Sequence, residues 1–238
     1  MTQSDAPSID LPADLVSAEE AMLHAALAAV SSGDGQRWAA SLRFEGLRLL
    51  PVAVRLAQGL IAAGQQLLMV WPDAGAAALA RRDAVDLKEL ILDFNQLKRS
   101  ENDTPDTRLL LAVNPSPADY EDFEAICDNH AGTILMLNGR LEDAAVGIGS
   151  VARERRRGFV ASWQQAYWLQ PLEGGALMRC FPADWHVYRS DPDGYRQIAV
   201  EENRPDPDTL AALLASESAD GIKQQLATVD RFLDGLRN

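Results

Sequence analysis

Three short, continuously apolar segments alternate with helical stretches, and this rhythm constrains the fold more than any other feature of the chain. The segments are residues 67–71, 109–113 and 133–137, and each ends at a cluster of turn-forming residues. Strands that are apolar on both sides are typical of a parallel sheet covered by helices on its two faces. We therefore predict an α/β protein whose sheet is mostly parallel and Rossmann-like, with flanking helices.

The remaining segments of this part follow from apolar periodicity and from Gly, Pro, Ser and Asp punctuation. Ser17 is expected to cap the first helix, because Glu20 stands at the capping-box spacing. The predicted helices are 17–30, 52–63, 76–82, 118–129 and a helical stretch that reaches about residue 157. Further strands are predicted at 38–44 and 90–94, and a polar surface loop at 98–107.

Beyond residue 157 the character of the chain changes. Runs rich in aromatic residues and valine are separated by turn residues, most clearly by Asp191-Pro192-Asp193-Gly194. This pattern predicts an antiparallel β-meander and then two helices, at 206–216 and 219–236. We treat 1–238 as one α/β domain with a βα-rich part (12–157), a meander (158–204) and C-terminal helices (205–238). Most of the meander aromatics are expected in the core, and exposed ones would be partner contacts.

Composition excludes several classes of function. The formal net charge is −13, so phosphate backbones and anionic lipid headgroups would repel the protein overall. The two cysteines, Cys127 and Cys180, are far apart, which suits a reducing compartment. We expect no secretory signal, because residues 1–14 have neither a basic segment nor an apolar core, and we expect no membrane span, because the apolar runs are too short. We predict a soluble cytoplasmic protein that associates with a membrane only through a partner.

A candidate ligand site lies where the three apolar segments end. Asp73, Asn114 and Asn138 each follow one of them, and Gly75 belongs to the first turn. In open parallel sheets, ligands bind outside the carboxyl ends of the strands, so neighbouring strands would place these residues along one edge. The alternative is that Asp and Asn merely cap helices and form turns, as they do in most such loops.

Gly147-Ile148-Gly149-Ser150-Val151-Ala152 has the spacing of a dinucleotide fingerprint. That mechanism needs the glycines directly after a strand, whereas seven residues (140–146) and a turn separate this segment from the nearest predicted strand. Gly147 and Gly149 therefore remain candidates for holding an anion at a helix start, or else permit close helix packing.

Arg153, Arg155, Arg156 and Arg157 form the only basic cluster in this acidic chain. On a helix, Arg153, Arg156 and Arg157 would share one face. They would form either a solvated face near the helix C-terminus or a docking site for an acidic partner or a phosphate-bearing ligand.

The sequence contains no complete catalytic motif and no Cys/His spacing that suits zinc. Cys127 and His130, three residues apart, are by themselves weak evidence of metal or thiol chemistry. We therefore assign no catalytic residue, metal ligand or cofactor.

An ordered set of motifs spans most of the chain. The motifs are Leu11-Pro12, Trp71-Pro72-Asp73-Ala74-Gly75, Ala78-Leu79-Ala80-Arg81-Arg82, Asn138, Leu141-Glu142-Asp143, Gly147-x-Gly149, the arginines from Arg153 to Arg157 with Phe159, Tyr167-Trp168-Leu169 and Phe181-Pro182-x-x-Trp185. In these motifs the chain resembles a cyanobacterial and plastid family of domains of unknown function. That family includes the plant "low photosystem II accumulation" assembly protein, and related domains are fused to some plastid adenylate kinases. The family usually has Asn-Pro where this chain has Asn138-Gly139, so a rigid turn is not implied there.

The resemblance implies a factor on the cytoplasmic or stromal face of the thylakoid that assists photosystem II assembly. We therefore favour a non-enzymatic protein that binds a photosystem II subunit, or an assembly or membrane-insertion factor, transiently. No nucleic-acid partner is expected. The alternative, based on the strand-end residues and the glycine segment, is a nucleotide- or phosphometabolite-binding protein, such as a degenerate enzyme.

Overall fold

The computed structural model describes residues 9–34, 36–100, 106–145 and 150–215, except for the side chains at 145, 150–152 and 156. The strands are β1 (Arg37–Leu42), β2 (Leu67–Trp71), β3 (Ile91–Asp93), β4 (Leu109–Val113), β5 (Ile134–Leu137), β6 (Gln164–Leu172), β7 (Gly175–Cys180), β8 (Trp185–Asp191) and β9 (Gly194–Glu201). The α-helices are α1 (Leu15–Ser32), α2 (Leu49–Ala62), α3 (Ala74–Asp83), α4 (Phe94–Ser100), α5 (Tyr120–Asn129), α6 (Ser150–Arg157) and α7 (Pro207–Ala215).

All nine strands belong to one sheet, in the order β3-β2-β4-β5-β1-β6-β7-β8-β9. The pairs from β3 to β6 are parallel, and those from β6 to β9 are antiparallel. The predicted mixed fold, with its parallel sheet and C-terminal meander, is confirmed. The meander extends the parallel sheet, because β6 pairs with β1 on one side and with β7 on the other.

Burial on both faces explains why the parallel strands are continuously apolar. In β2, Leu67, Met69 and Trp71 pack in the core beneath α1, α2 and α3, whereas Leu68 and Val70 pack against α4 and α5. All five residues are buried. Full burial of one such aliphatic side chain contributes about 1.5–3 kcal/mol relative to its exposure, so a polar residue anywhere in the strand would be costly.

The first helix starts earlier than predicted, and Ser17 is not its cap. Asp14 is the N-cap: its Oδ1 accepts a hydrogen bond from the Ser17 N–H at 2.8 Å, and the Asp14 N–H donates to the Ser17 hydroxyl at 3.2 Å. Asp and Ser are comparably good caps, so their spacing alone did not distinguish the two.

The predicted loop at 98–107 was also partly wrong, because its first three residues belong to α4. Asp93 begins this helix by accepting a hydrogen bond from the Gln96 N–H at 2.9 Å. Other predicted boundaries differ from the observed ones by a few residues. The predicted helix 219–236 lies outside the described residues. Within the described part, no helix is both long and apolar enough to cross a membrane.

Candidate functional site

The fold places the three strand-end polar residues at one edge of the sheet. Strands β2, β4 and β5 are consecutive, with Val70 opposite Ala112 and Val113 opposite Leu137. The helices that follow β2 and β4 pack on opposite faces of the sheet. In open α/β sheets, ligands usually bind at the carboxyl ends of the strands where the connections diverge in this way.

Asp73 has a structural task at this edge. It is the N-cap of α3, and its Oδ1 accepts a hydrogen bond from the Ala76 N–H at 2.9 Å. Its side chain is exposed, as is Gly75 in the first turn of the helix. A Cβ on Gly75 would come within 3.0 Å of Asp73 Oδ1, so a larger residue would press on the cap.

Asn138 joins two strands. Its Oδ1 accepts a hydrogen bond from the Leu42 N–H at 2.7 Å, and its Nδ2 donates to the Leu42 carbonyl at 3.0 Å. The Asn138 N–H donates to the Ala40 carbonyl at 2.8 Å, so the side chain extends the β5–β1 ladder beyond its last backbone pair. Its φ of 55° is a left-handed conformation that Asn tolerates better than most residues.

Asn114 has the same backbone conformation without the same bonds. Its φ is 54°, and its N–H donates to the Leu137 carbonyl at 2.8 Å. Its side chain is exposed and forms no hydrogen bond to another described residue. Asn114 is therefore the strand-end residue whose amide is available to a ligand.

The sequence analysis missed an arginine at the same edge. Arg43 follows β1, and its Nη2 donates to the Gly139 carbonyl at 2.6 Å. Its guanidinium carbon lies 4.9 Å from the centroid of the Trp168 ring. Burial lowers the pKa of Arg43; the nearby Arg204 and Arg140 act in the same direction, and Glu142 opposes them. Nothing in the local sequence distinguishes Arg43 from a surface arginine.

Helix α6 carries the predicted arginine cluster, in which one arginine packs against the protein and two are exposed. Arg155 turns inward: its guanidinium carbon lies 4.5 Å from the Tyr120 ring centroid, and its Nη1 donates to the Ala144 carbonyl at 3.2 Å. Arg153 and Arg157 are exposed. They are four residues apart and so share a helix face. The side chain of Arg156 lies outside the described residues, as do Gly147 and Gly149.

A family model for a domain of unknown function, DUF1995, matches residues 12–212 of the chain. The protein belongs to the DUF1995 family. A comparison with curated proteins and one with solved structures each found no match.

The other candidate groups of this DUF1995 domain are engaged in the core. His130 is buried, and its Nε2 lies 2.9 Å from the Arg108 carbonyl oxygen. Cys127, close to it in sequence, is buried as well. Across the described ranges, no group of three or more His, Cys, Asp or Glu side chains is arranged to hold a metal ion. Four meander aromatics are buried, as expected: Tyr167, Trp168, Trp185 and Tyr188.

Proposed function

We propose that this DUF1995 protein is a non-enzymatic cytoplasmic factor that assists photosystem II assembly or accumulation through transient protein binding. The partner is a photosystem II subunit or an assembly or membrane-insertion factor, and the protein reaches the thylakoid through it. The link to photosystem II comes from the resemblance of the ordered motifs to the family that includes the plant assembly protein. The binding surface is argued from the α6 helix.

The main support for the proposal is that the arginines of α6 differ in their contacts. Arg155 fixes the helix to the body of the protein through the Tyr120 ring, the Ala144 carbonyl and an ion pair with Glu121 at 3.3 Å. Arg153 and Arg157 are left exposed on a helix that is held in place. Arg157 is the last residue of α6 and complements the helix dipole there, whereas Arg153 lies in the first half of the helix. Two like charges at this spacing destabilise an isolated helix by a few tenths of a kcal/mol, so helix stability does not explain Arg153.

Charge gives this surface its selectivity. In a chain with a net charge of −13, Arg153 and Arg157 place two exposed positive charges on one helix face, with one exposed carboxylate, Glu154, between them in sequence. A partner that presents carboxylates would gain charge-assisted, bidentate hydrogen bonds from them. Such contacts between exposed groups weaken as salt rises, because the Debye length falls to about 10 Å at 0.1 M.

The test compares two double variants of equal charge. Arg153→Glu with Arg157→Glu reverses the α6 surface. Arg48→Glu with Arg82→Glu makes the same change in net charge at exposed positions next to α2 and in α3, on the opposite face of the sheet. Each tagged protein is used to capture partners from detergent-solubilised photosynthetic membranes, and each is melted thermally in parallel.

We expect the α6 variant to melt like the wild type and to lose the captured photosystem II or assembly protein. The control variant should retain it. Equal capture by both variants would overturn the docking role of α6. Capture of no photosystem II or assembly protein by the wild type would overturn the assignment itself.

A second candidate function, nucleotide or phosphometabolite binding, is favoured by the adjacency of strands β2 and β4, whose turns carry Asp73 and Asn114. Asn114 contributes an amide that no described residue uses. The test is a thermal-shift panel of nucleotides and sugar phosphates, because a ligand selective for the folded state raises the melting temperature. A shift that disappears in Asn114→Gly supports this function, and no shift across the panel counts against it.

A further inference from the structure

A groove on the meander side of the molecule has no assigned role. It lies between the β6–β7 turn and the segment that leads into α7, and its volume is about 660 Å³. Its apolar lining includes Leu172, Pro205, Leu210 and Leu214. Small-molecule sites are mostly apolar clefts of roughly 300–1,000 Å³ with a few oriented polar groups. The groove has that size and that lining.

Arg204 supplies the oriented polar group. It lines the groove, and its guanidinium carbon lies 3.9 Å from the centroid of the Trp168 ring. The ring is itself held in place: Trp168 is buried, and its Nε1–H donates to Gln170 Oε1 at 3.2 Å. A guanidinium stacked on a fixed indole is restricted in position, which reduces the entropy lost when a ligand binds.

Among the described residues, most of the hydrogen-bonding capacity of Arg204 is unused. Its hydrogen bonds there run from Nη1 to the Glu142 carboxylate, at 3.3 and 3.4 Å to the two oxygens. The Glu142 side chain is 62% exposed. An exposed pair with such long contacts contributes little to stability, whereas a guanidinium can offer five N–H donors to an incoming anion. A ligand carboxylate can therefore replace Glu142.

Two further carboxylates limit how much negative charge the groove accepts. Asp206 accepts hydrogen bonds from the Thr209 N–H at 2.9 Å and from its hydroxyl at 3.0 Å, and these bonds lower the pKa of Asp206. Asp206 therefore stays ionised at neutral pH. Glu173 is exposed in the β6–β7 turn. Both carboxylates would repel a polyanion such as a nucleoside triphosphate more strongly than a ligand with a single negative charge, because the repulsion grows with the charge of the ligand.

We propose that this groove binds a small amphiphile that has an apolar body and a single carboxylate head. The carboxylate pairs with Arg204 beside Trp168, and the apolar body covers Leu172 and Leu210. This site is separate from the α6 surface and does not depend on the protein-binding role.

The experiment is a calorimetric titration of the full-length protein with decanoate below its micelle concentration. Decanol, which lacks the charge, and decyltrimethylammonium, which reverses it, are the matched ligands. Arg204→Gln removes the cation, and Arg48→Gln removes an exposed cation elsewhere. Tryptophan fluorescence is a second readout, because Trp168 and Trp185 both lie next to Arg204.

We expect decanoate to bind at one site at least tenfold more tightly than decanol, and decyltrimethylammonium not to bind there. Arg204→Gln should remove that preference, and Arg48→Gln should keep it. Glu142→Gln, which leaves Arg204 in place and removes its competitor, should tighten decanoate binding several-fold; this variant decides the matter if Arg204→Gln does not fold. Equal binding of decanoate and decanol, unchanged binding in Arg204→Gln or no binding at all would overturn the proposal. Each of these results is independent of partner capture by α6.

Discussion

Comparing Asn114 with Asn138 can show how much the hydrogen bonds from the Asn138 side chain to the Leu42 backbone contribute to stability. Both follow parallel strands, and their φ values are 54° and 55°. They differ in side-chain bonding: Asn138 makes two hydrogen bonds to the backbone of buried Leu42, and Asn114 makes none to a described residue. Replacing each by alanine therefore imposes the same backbone strain and removes bonds at only one site.

The expected magnitudes follow from these contacts. Alanine in the left-handed region costs about 1–2 kcal/mol, and both variants share that loss. Asn138→Ala also loses two intramolecular hydrogen bonds, each worth about 0.5–1.5 kcal/mol net. We therefore expect Asn138→Ala to be about 1–3 kcal/mol less stable than Asn114→Ala. Glycine at each position removes the strain and should leave the difference between the two sites unchanged.

The assay is equilibrium unfolding in urea, monitored by far-ultraviolet circular dichroism. The data for all four variants are fitted with one shared m-value, the slope of unfolding free energy against urea concentration. A smaller unfolding free energy for both Asn138 variants than for the matched Asn114 variants is the predicted result. If the two alanine variants had the same stability, and the two glycine variants did too, the hydrogen bonds from Asn138 to Leu42 would contribute nothing to the free energy of unfolding, contrary to this prediction.

Three further predictions concern stability. Arg155→Ala should lower the free energy of unfolding by about 1–2 kcal/mol, because a stacked, part-buried cation and its hydrogen bonds are lost. Arg153→Ala should change it by no more than about 0.5 kcal/mol. Equal urea midpoints for the two variants would contradict this prediction. Asp73→Ala should cost about 1 kcal/mol, the usual value of a lost N-cap, and Asp73→Ser should recover most of it in the same assay. Burial raises the pKa of the Cys180 thiol and of the Tyr167 phenol. As pH rises above their ordinary values of 9.0 and 10.0, the unfolded chain releases protons that the folded chain keeps, so the unfolding free energy should fall. A flat stability profile from pH 8 to 11 would contradict that expectation.

The sequence predicted the class of fold because burial on two faces leaves a local signature. Residues 67–71 and 109–113 are apolar at every position, and both are strands with those bounds. Strand order leaves no such signature. The chain passes from β1 to β2 and on to the edge at β3, and then inserts β4 and β5 between β2 and β1. That return depends on which face each crossover helix covers, and this is settled only by the packed core.

The candidate site was predictable from the sequence only in the positions of its strand-end residues. The strand-end positions of Asp73, Asn114 and Asn138 follow from local turn chemistry, and strand adjacency brings them to one edge. The role of Asn138 was not predictable, because its partner Leu42 is distant in sequence. The same applies to Arg43 and Arg204, which lie over one Trp168 ring although they come from opposite ends of the chain.

The proposed role of the exposed α6 arginines, binding a partner needed for photosystem II, can be measured in cells. A photosynthetic host whose own copy is replaced by Arg153→Glu with Arg157→Glu is compared with one that carries Arg48→Glu with Arg82→Glu. Photosystem II content is measured per cell, with the level of each variant protein checked by immunoblot. We predict normal photosystem II in the control and reduced photosystem II in the α6 variant at equal protein level. Equal photosystem II content in the two strains would mean that Arg153 and Arg157 are not needed for photosystem II accumulation.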